Sequence, residues 1–245
     1  MRTPSFLPAA IIALLALFAA CGGTPTPTAP RGPTLDEIIA RAEEASAAVA
    51  SYRYTGVSTS QSVDDLQNVE ESGAWTASGG LHMRMKGVYD GEEHINEVIF
   101  TGGRIFVLDS HGGTGEWMVQ AQRGEPHKSG GELPFDIENA TLMRDEVIDG
   151  VPVFHLHGER QAEPGPTPEP GQGSVVDNRI IMDLYISKDT YRAMRSVNRH
   201  EQPFVHAELV DGVPQYTTTD QHGTSSRNYY DFNGPITVQP PEAFR

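Results

Sequence analysis

The side chains best placed to do chemistry in this chain are His155 and His157, two residues apart in "FHLHG". On a strand such spacing puts both imidazoles on one face, where they would share a Zn²⁺ or Cu²⁺ if another strand supplied a third ligand. The sequence identifies no such ligand. Phe154 and Leu156 alternate with the histidines, which favours the plainer reading of a strand with its polar face in water. His200 and His206 in "HEQPFVH" lack the helical spacing of a zinc-protease motif, and Pro203 would break that helix. "HGGTG" at His111–Gly115 has the look of an esterase oxyanion loop, yet the chain contains no G-x-S-x-G elbow, so a glycine-rich hairpin turn explains it better. Asp64 and Asp65 read as solvated charge in a polar loop, with no shielding to raise a carboxyl pKa. The expectation is a protein that is not an enzyme and needs no cofactor or metal, with His155 and His157 as the weak metal alternative.

The only cysteine, Cys21, stands between an apolar run and a Pro/Thr tract. Met1 and Arg2 give a short positive start, and Leu7 to Ala20 is an uncharged run too short for a comfortable transmembrane helix, the pattern of a secretory signal. "LFAAC" resembles the lipobox of bacterial lipoproteins, with Phe18 where Leu is usual. That resemblance implies diacylglycerol on the Cys21 sulfur, cleavage before it and acylation of the new amino terminus. Residues 1–20 are then a lipoprotein signal peptide, 21–33 a lipid-anchored Pro/Thr/Gly tether, and 34–245 a single domain. The chain carries 33 Asp and Glu against 18 Lys and Arg, and losing Arg2 with the leader moves its net charge from −15 to −16. Such acidity excludes nucleic acid as a partner and gives no attraction to anionic lipid heads, so membrane attachment rests on two or more acyl chains. With no second cysteine, no intramolecular disulfide forms, and the domain is held by packing alone.

The elements follow from periodicity. Thr34 and Glu37 form a capping-box signature, and Leu35, Ile38, Ile39, Ala42, Ala45 and Val49 recur at helical spacing, predicting one amphipathic helix of about four turns. After Tyr52 the pattern changes to period two. Leu81, Met83 and Met85 alternate with His82, Arg84 and Lys86, and Ile180, Met182, Leu184 and Ile186 alternate with Ile181, Asp183, Tyr185 and Ser187. Further strands are expected at Ser51–Ser60, Val69–Ala77, Ile95–Phe100, Arg104–Asp109, Glu116–Gln120, Val151–Gly158, Arg192–His200, Val205–Val210, Tyr216–Thr219 and Ile236–Val238. Turn signals such as "DGE", "TGG" and two copies of "DGVP" separate them. Many strands, one helix and no βαβ alternation predict a mainly β (α+β) fold. Its expected form is a large curved antiparallel sheet, or half-barrel, wrapped around the long N-terminal helix, with the Pro/Gly/Glu tract at 162–173 as a loop insertion.

The order of lipobox, tether, amphipathic helix running into "SYRYTG", then "GGRIFVLDS", "EWMV", "DEVIDGVPVFHLHG", "LYISKDTYRAMR" and "YYDFNGPITVQPPE" resembles the LppX/LprG-type bacterial lipoproteins and, more distantly, the LolA/LolB-like lipoprotein carriers. The resemblance implies a half-barrel enclosing an apolar cavity for the acyl chains of lipids. The 162–173 insertion and a long loop at 123–134 depart from the family pattern. Candidate cavity residues are Ile38, Ile39, Ala42 and Val49 on the helix side and Leu81, Met83, Met85, Met182 and Leu184 on the sheet, the methionines giving flexible, polarizable walls. The expected function is an exported protein, lipid-anchored on the extracytoplasmic face of the cell membrane, that binds or carries a lipid or other hydrophobic molecule. A ligand-free envelope interaction or sensory module on the same fold is the alternative.

Overall fold

A computed structural model describes residues 32–62, 65–121, 137, 139–162, 173–175, 178–211 and 213–244. Cys21, the leader, nearly all of the tether, Asp64, the 123–134 loop and the body of the 162–173 insertion lie outside the described residues. The chain divides into two units, Met1–Pro33 and Thr34–Arg245. In the second, helix α1 spans Leu35–Ala47 and is followed, among the described residues, by thirteen strands. No helix among the described residues is long and apolar enough to cross a membrane.

α1 starts where the sequence signals it. The Thr34 hydroxyl accepts from the Glu37 amide at 3.3 Å and the Glu37 carboxylate accepts from the Thr34 amide at 2.8 Å, so two otherwise orphaned donors are satisfied reciprocally. Ile38 and Ala42, one turn apart, are fully buried. Arg41 donates to the Tyr191 hydroxyl at 2.9 Å, and Tyr191 in turn packs on Phe154.

The strands are β1 (Ser51–Ser62), β2 (Asp65–Thr76), β3 (Gly80–Tyr89), β4 (Glu92–Thr101), β5 (Arg104–His111), β6 (Thr114–Ala121), β7 (Thr141–Leu142), β8 (Glu146–Ile148), β9 (Val151–Ala162), β10 (Gly173–Val175), β11 (Asn178–Ser187), β12 (Ala193–Val210) and β13 (Val213–Tyr230). They form one antiparallel sheet ordered β6-β5-β4-β3-β2-β1-β13-β12-β11-β9-β7, with β10 on β12 and β8 on β9, and its path does not close. The glycine turns are tight hairpins. Asp90–Gly91, Gly112–Gly113 and Asp149–Gly150 all have positive φ at both positions, the geometry that matches strand twist in a two-residue loop. "HGGTG" is therefore the β5–β6 turn.

The elements differ from the sequence reading at four places. Arg192–His200 and Val205–Val210 are one strand, β12, because Pro203 stays within the ladder opposite Asp220. Tyr216–Thr219 is part of the eighteen-residue β13. Ile236–Val238 is not a strand. It belongs to an extended C-terminal segment whose Val238 carbonyl accepts from the Thr101 hydroxyl at 3.0 Å and whose Phe244 packs on buried Phe106 at 5.3 Å between ring centroids. Asp65, placed in a loop by composition, opens β2.

Candidate functional site

Register decides which side chains share a sheet face. Tyr52 and Tyr54 of β1 stand in the buried cluster with Ile38, Ala42 and Val49 of the helix region. Opposite them across β2, β3, β4 and β5 run two rows. One is Tyr52, Trp75, Leu81, Phe100 and Ile105, and the other is Tyr54, Gly73, Met83, Val98 and Val107. The next row is Gly56, Glu71, Met85, Asn96 and Asp109. Going the other way, Tyr229, Leu184 and Leu156 continue the face onto β13, β11 and β9.

The helix fills one half of this face. Its cluster contains Tyr52, Tyr54, Phe154, Leu156, Leu184, Ile186, Ala193 and Tyr229, with Leu35, Ile39, Trp75, Ile137, Tyr191 and Phe232 packed around it. Of the expected cavity residues, Ile38, Ala42, Val49 and Leu184 are therefore in a packed core and Ile39 is at its margin. Leu81, Met83, Met85 and Met182 lie on the same sheet face and are only half-buried, outside that cluster. Val98, Phe100, Ile105 and Val107, which the sequence reading did not select, extend the half-buried apolar strip beside them. Gly73 has a specific reason in this arrangement: the Tyr54 ring lies over its backbone, in space that a Cβ would occupy.

A charged row bounds the apolar strip. Buried Glu71 accepts from the Ser58 hydroxyl at 2.6 Å and from Arg227 Nε at 2.7 Å, and the Arg227 guanidinium lies over the Tyr54 ring. Burial pushes the Tyr54 hydroxyl up to about 12, against the opposing charge of Arg227. Burial also raises Tyr52 and Tyr229, so all three phenols stay neutral donors at physiological pH. For Arg227, burial acts downward, but the hydrogen bond and charge of Glu71 outweigh it and the net direction is up. Glu71 and Arg227 are far apart in sequence, and the only local signal was an acidic residue in phase with Val69, Gly73 and Trp75.

His155 and His157 do share a face, opposite the helix, and what they share is Asp183. His155 Nε2 and His157 Nδ1 lie 3.0 and 2.8 Å from Asp183 Oδ1, Arg199 Nη1 lies 2.8 Å from Oδ2, and His155 Nδ1 lies 2.9 Å from Glu146 Oε1. His155 stacks on Tyr185 at 4.4 Å. Both ring nitrogens of His155 and Nδ1 of His157 are engaged by these carboxylates. Among the described residues no group of three His, Cys, Asp or Glu side chains is arranged to hold a metal ion. The polar face is also less wet than alternation alone implies, since the His155 side chain is 13% exposed and that of Asp183 6%. A lone Asp between Met182 and Leu184 was the sequence signal for this network.

No family model matches the chain, and no curated protein does. Among solved structures it is similar to LprF from Mycobacterium bovis, with 14% identity over 83% of this chain and 95% of that one and a TM-score of 0.47. It is also similar to a LolA superfamily protein from Nitrosomonas europaea, with 11% identity over 86% and 97% and a TM-score of 0.26. A putative outer membrane lipoprotein-sorting protein domain from Vibrio parahaemolyticus has 11% identity over 81% and 93% and a TM-score of 0.26. LprF and LolA are the kinds of protein that the order of sequence elements resembles. These likenesses leave ligand, anchor and partner to the chain's own residues.

Proposed function

We propose that this chain is an exported lipoprotein, anchored to the extracytoplasmic face of the membrane by acyl chains on Cys21, that binds or carries a lipid or another hydrophobic molecule without catalysing a reaction. The observation that carries the reading is the apolar strip of Leu81, Met83, Val98, Phe100, Ile105 and Val107. It continues the helix-covered face but stays half-buried outside the packed cluster. A large accessible apolar surface on a soluble unit marks a binding site. Met83 and Met85 adapt to irregular acyl chains, and the charged row beyond them leaves a headgroup a polar side. Processing at Cys21 and the Pro/Thr tether would hold the binding unit at the membrane from which such a ligand is drawn.

The test compares two enlarged side chains. Ala42 is fully buried in the filled half, so Ala42→Trp should cost about 1–3 kcal/mol through overpacking. Met83 stands beside Gly73 on the strip, so Met83→Trp should block ligand while leaving the melting temperature near that of the parent. Native mass spectrometry of a Thr34–Arg245 fragment should show retained lipid in the parent and its loss in Met83→Trp. A parent that carries no lipid and takes up no fluorescent fatty acid removes the carrier reading and leaves the interaction module.

A further inference from the structure

On the face opposite the helix, pairing puts Arg53, Ala74, His82, Ile99 and Phe106 in one row across β1 to β5. The next row carries Glu97, Leu108 and, on the edge strand β6, Trp117. The extended C-terminal segment lies over these rows and is pinned at two places. Val238 sits on Gly80, where a Cβ would come within 2.9 Å of the valine, and Phe244 packs on Phe106. Between the segment and the sheet is a cleft of about 390 Å³, within the range of small-ligand sites. Its lining runs from Arg53 to Trp117. The strands that carry them are five spacings of ~4.8 Å apart, about 24 Å, so the cleft is elongated.

The charges in this cleft are already matched. Arg53 Nε lies 3.6 Å from Asp231, and the Glu97 carboxylate lies 2.7 Å from His82 Nε2 and 4.0 Å from Arg84 Nε. A charged ligand would have to displace one of these partners and leave the other unpaired, and exposed Glu242 further disfavours an anion. The uncommitted groups are neutral. Among the described residues, the side chains of Trp117, Thr237 and Gln239 have no hydrogen-bond, ring or ionic partner. A hydroxyl and a primary amide each donate and accept. Ala74 and Ile99, 4% and 6% exposed, and Pro240 and Pro241 supply apolar wall between them.

We propose that this cleft binds a neutral oligosaccharide. A sugar ring is amphipathic in the way the cleft is: its C–H face stacks on the electron-rich face of an indole, and its hydroxyls both donate and accept. Trp117 is the platform, and Thr237 and Gln239 meet the hydroxyl edge. Arg53 adds N–H donors beyond the one facing Asp231. A roof pinned by Val238 and Phe244 holds these groups in place before the ligand arrives. The cleft is on the opposite side of the sheet from the apolar strip, so it stands or falls independently of lipid binding.

The probe is an array of immobilised oligosaccharides, neutral, uronic-acid, sulfated and amino-sugar, exposed to the full chain in a polyoxyethylene detergent. The neutral trisaccharide that binds best is then titrated by calorimetry. Charged analogues of the same backbone should bind at least tenfold more weakly. Trp117→Ala should weaken the titration at least tenfold, Trp117→Phe should recover most of it, and Gln239→Ala should weaken it several-fold. Hydrogen exchange of the unsubstituted chain should slow at 236–239 and in β6 when the sugar is bound, a readout that needs no variant to fold. Met83→Trp, directed at the apolar strip, should leave the sugar titration unchanged. Absence of binding to every neutral sugar, equal binding of charged analogues, or protection confined to other segments overturns the proposal. So does a titration that Trp117→Ala leaves unmoved or that Met83→Trp abolishes.

Discussion

Asp183→Asn isolates the polar network on the face opposite the helix. The substitution keeps the side-chain volume and removes the charge that receives His155 at 3.0 Å, His157 at 2.8 Å and Arg199 at 2.8 Å. The partners differ in how much they lose. Arg199 and His157 are 48% and 36% exposed and regain water when released, so their ion pairs are worth ~0.2–1 kcal/mol each. His155 is 13% exposed, and its charge-assisted bond is worth about 1.5–3 kcal/mol. Together the loss should be about 2–5 kcal/mol, a Tm lower by about 4–20 °C for a domain of this size. The pH dependence fixes the sign. Burial alone would raise the Asp183 carboxyl, but hydrogen bonds from His157 and His155 and the charge of Arg199 prevail and hold it below its ordinary 3.8. A depressed carboxylate stabilises the fold fully above its unfolded value and loses that contribution as pH falls through the lower folded value. Urea unfolding of parent and variant from pH 7 downward should show the gap intact above about pH 5 and closing below 3.8. A variant within ~0.5 kcal/mol of the parent at pH 7, or a gap that persists under strong acid, refutes the reasoning.

Cys21→Ser should abolish metabolic palmitate labelling and leave the protein released or held by an uncleaved leader; labelling that survives ends the lipoprotein reading. Thr34→Ala removes the hydroxyl of the capping box and should cost about 0.5–2 kcal/mol in thermal or urea unfolding. Thr34→Asp, which keeps an acceptor at the same place, should recover most of that loss.

How much was legible follows from how local each signal is. The helix start, the D-G hairpins and the alternation at Leu81–Lys86 and Ile180–Ser187 depend on neighbours a few residues away, and each appears as an element where the sequence puts it. The length of β13 was not legible, because "DQHGTSSRNYY" has almost no apolar alternation. It is a strand because β1 and β12 pair with it on both sides, and only Tyr229 within it is a buried hydrophobic. Pro203 hid the continuity of β12, since proline within a run reads as a break. Ile236–Val238 had a strand's alternation, but the segment packs against side chains instead of joining the ladder. At the sites, pairing of His155 with His157 on one face was visible, while their common carboxylate on another strand was not. Glu71–Arg227 joins β2 to β13 and leaves almost no trace in either segment alone.

The dimensions explain why α1 covers only half of the helix-side face. α1 has 13 residues, so it is ~20 Å long and, with side chains, about 10–12 Å across. The sheet path has eleven strands, which at ~4.8 Å spacing makes it roughly 48 Å wide. A single helix of that size covers the cluster from Tyr52 to Leu156 and cannot also reach β3, β4 and β5. Enlarging the helix side chains does not remove this deficit, which is one of length and number of elements. The C-terminal segment does not make it up, because its Val238 and Phe244 pack around Thr101 and Phe106, on the other face. The sequence nevertheless keeps Leu81, Met83, Val98, Phe100, Ile105 and Val107 apolar and half-buried on the helix-side face, which is the surface the proposed ligand site uses. The proposed carrier role requires this combination: apolar lining in excess of what α1 buries among the described residues, on a sheet already stabilised elsewhere by a filled core.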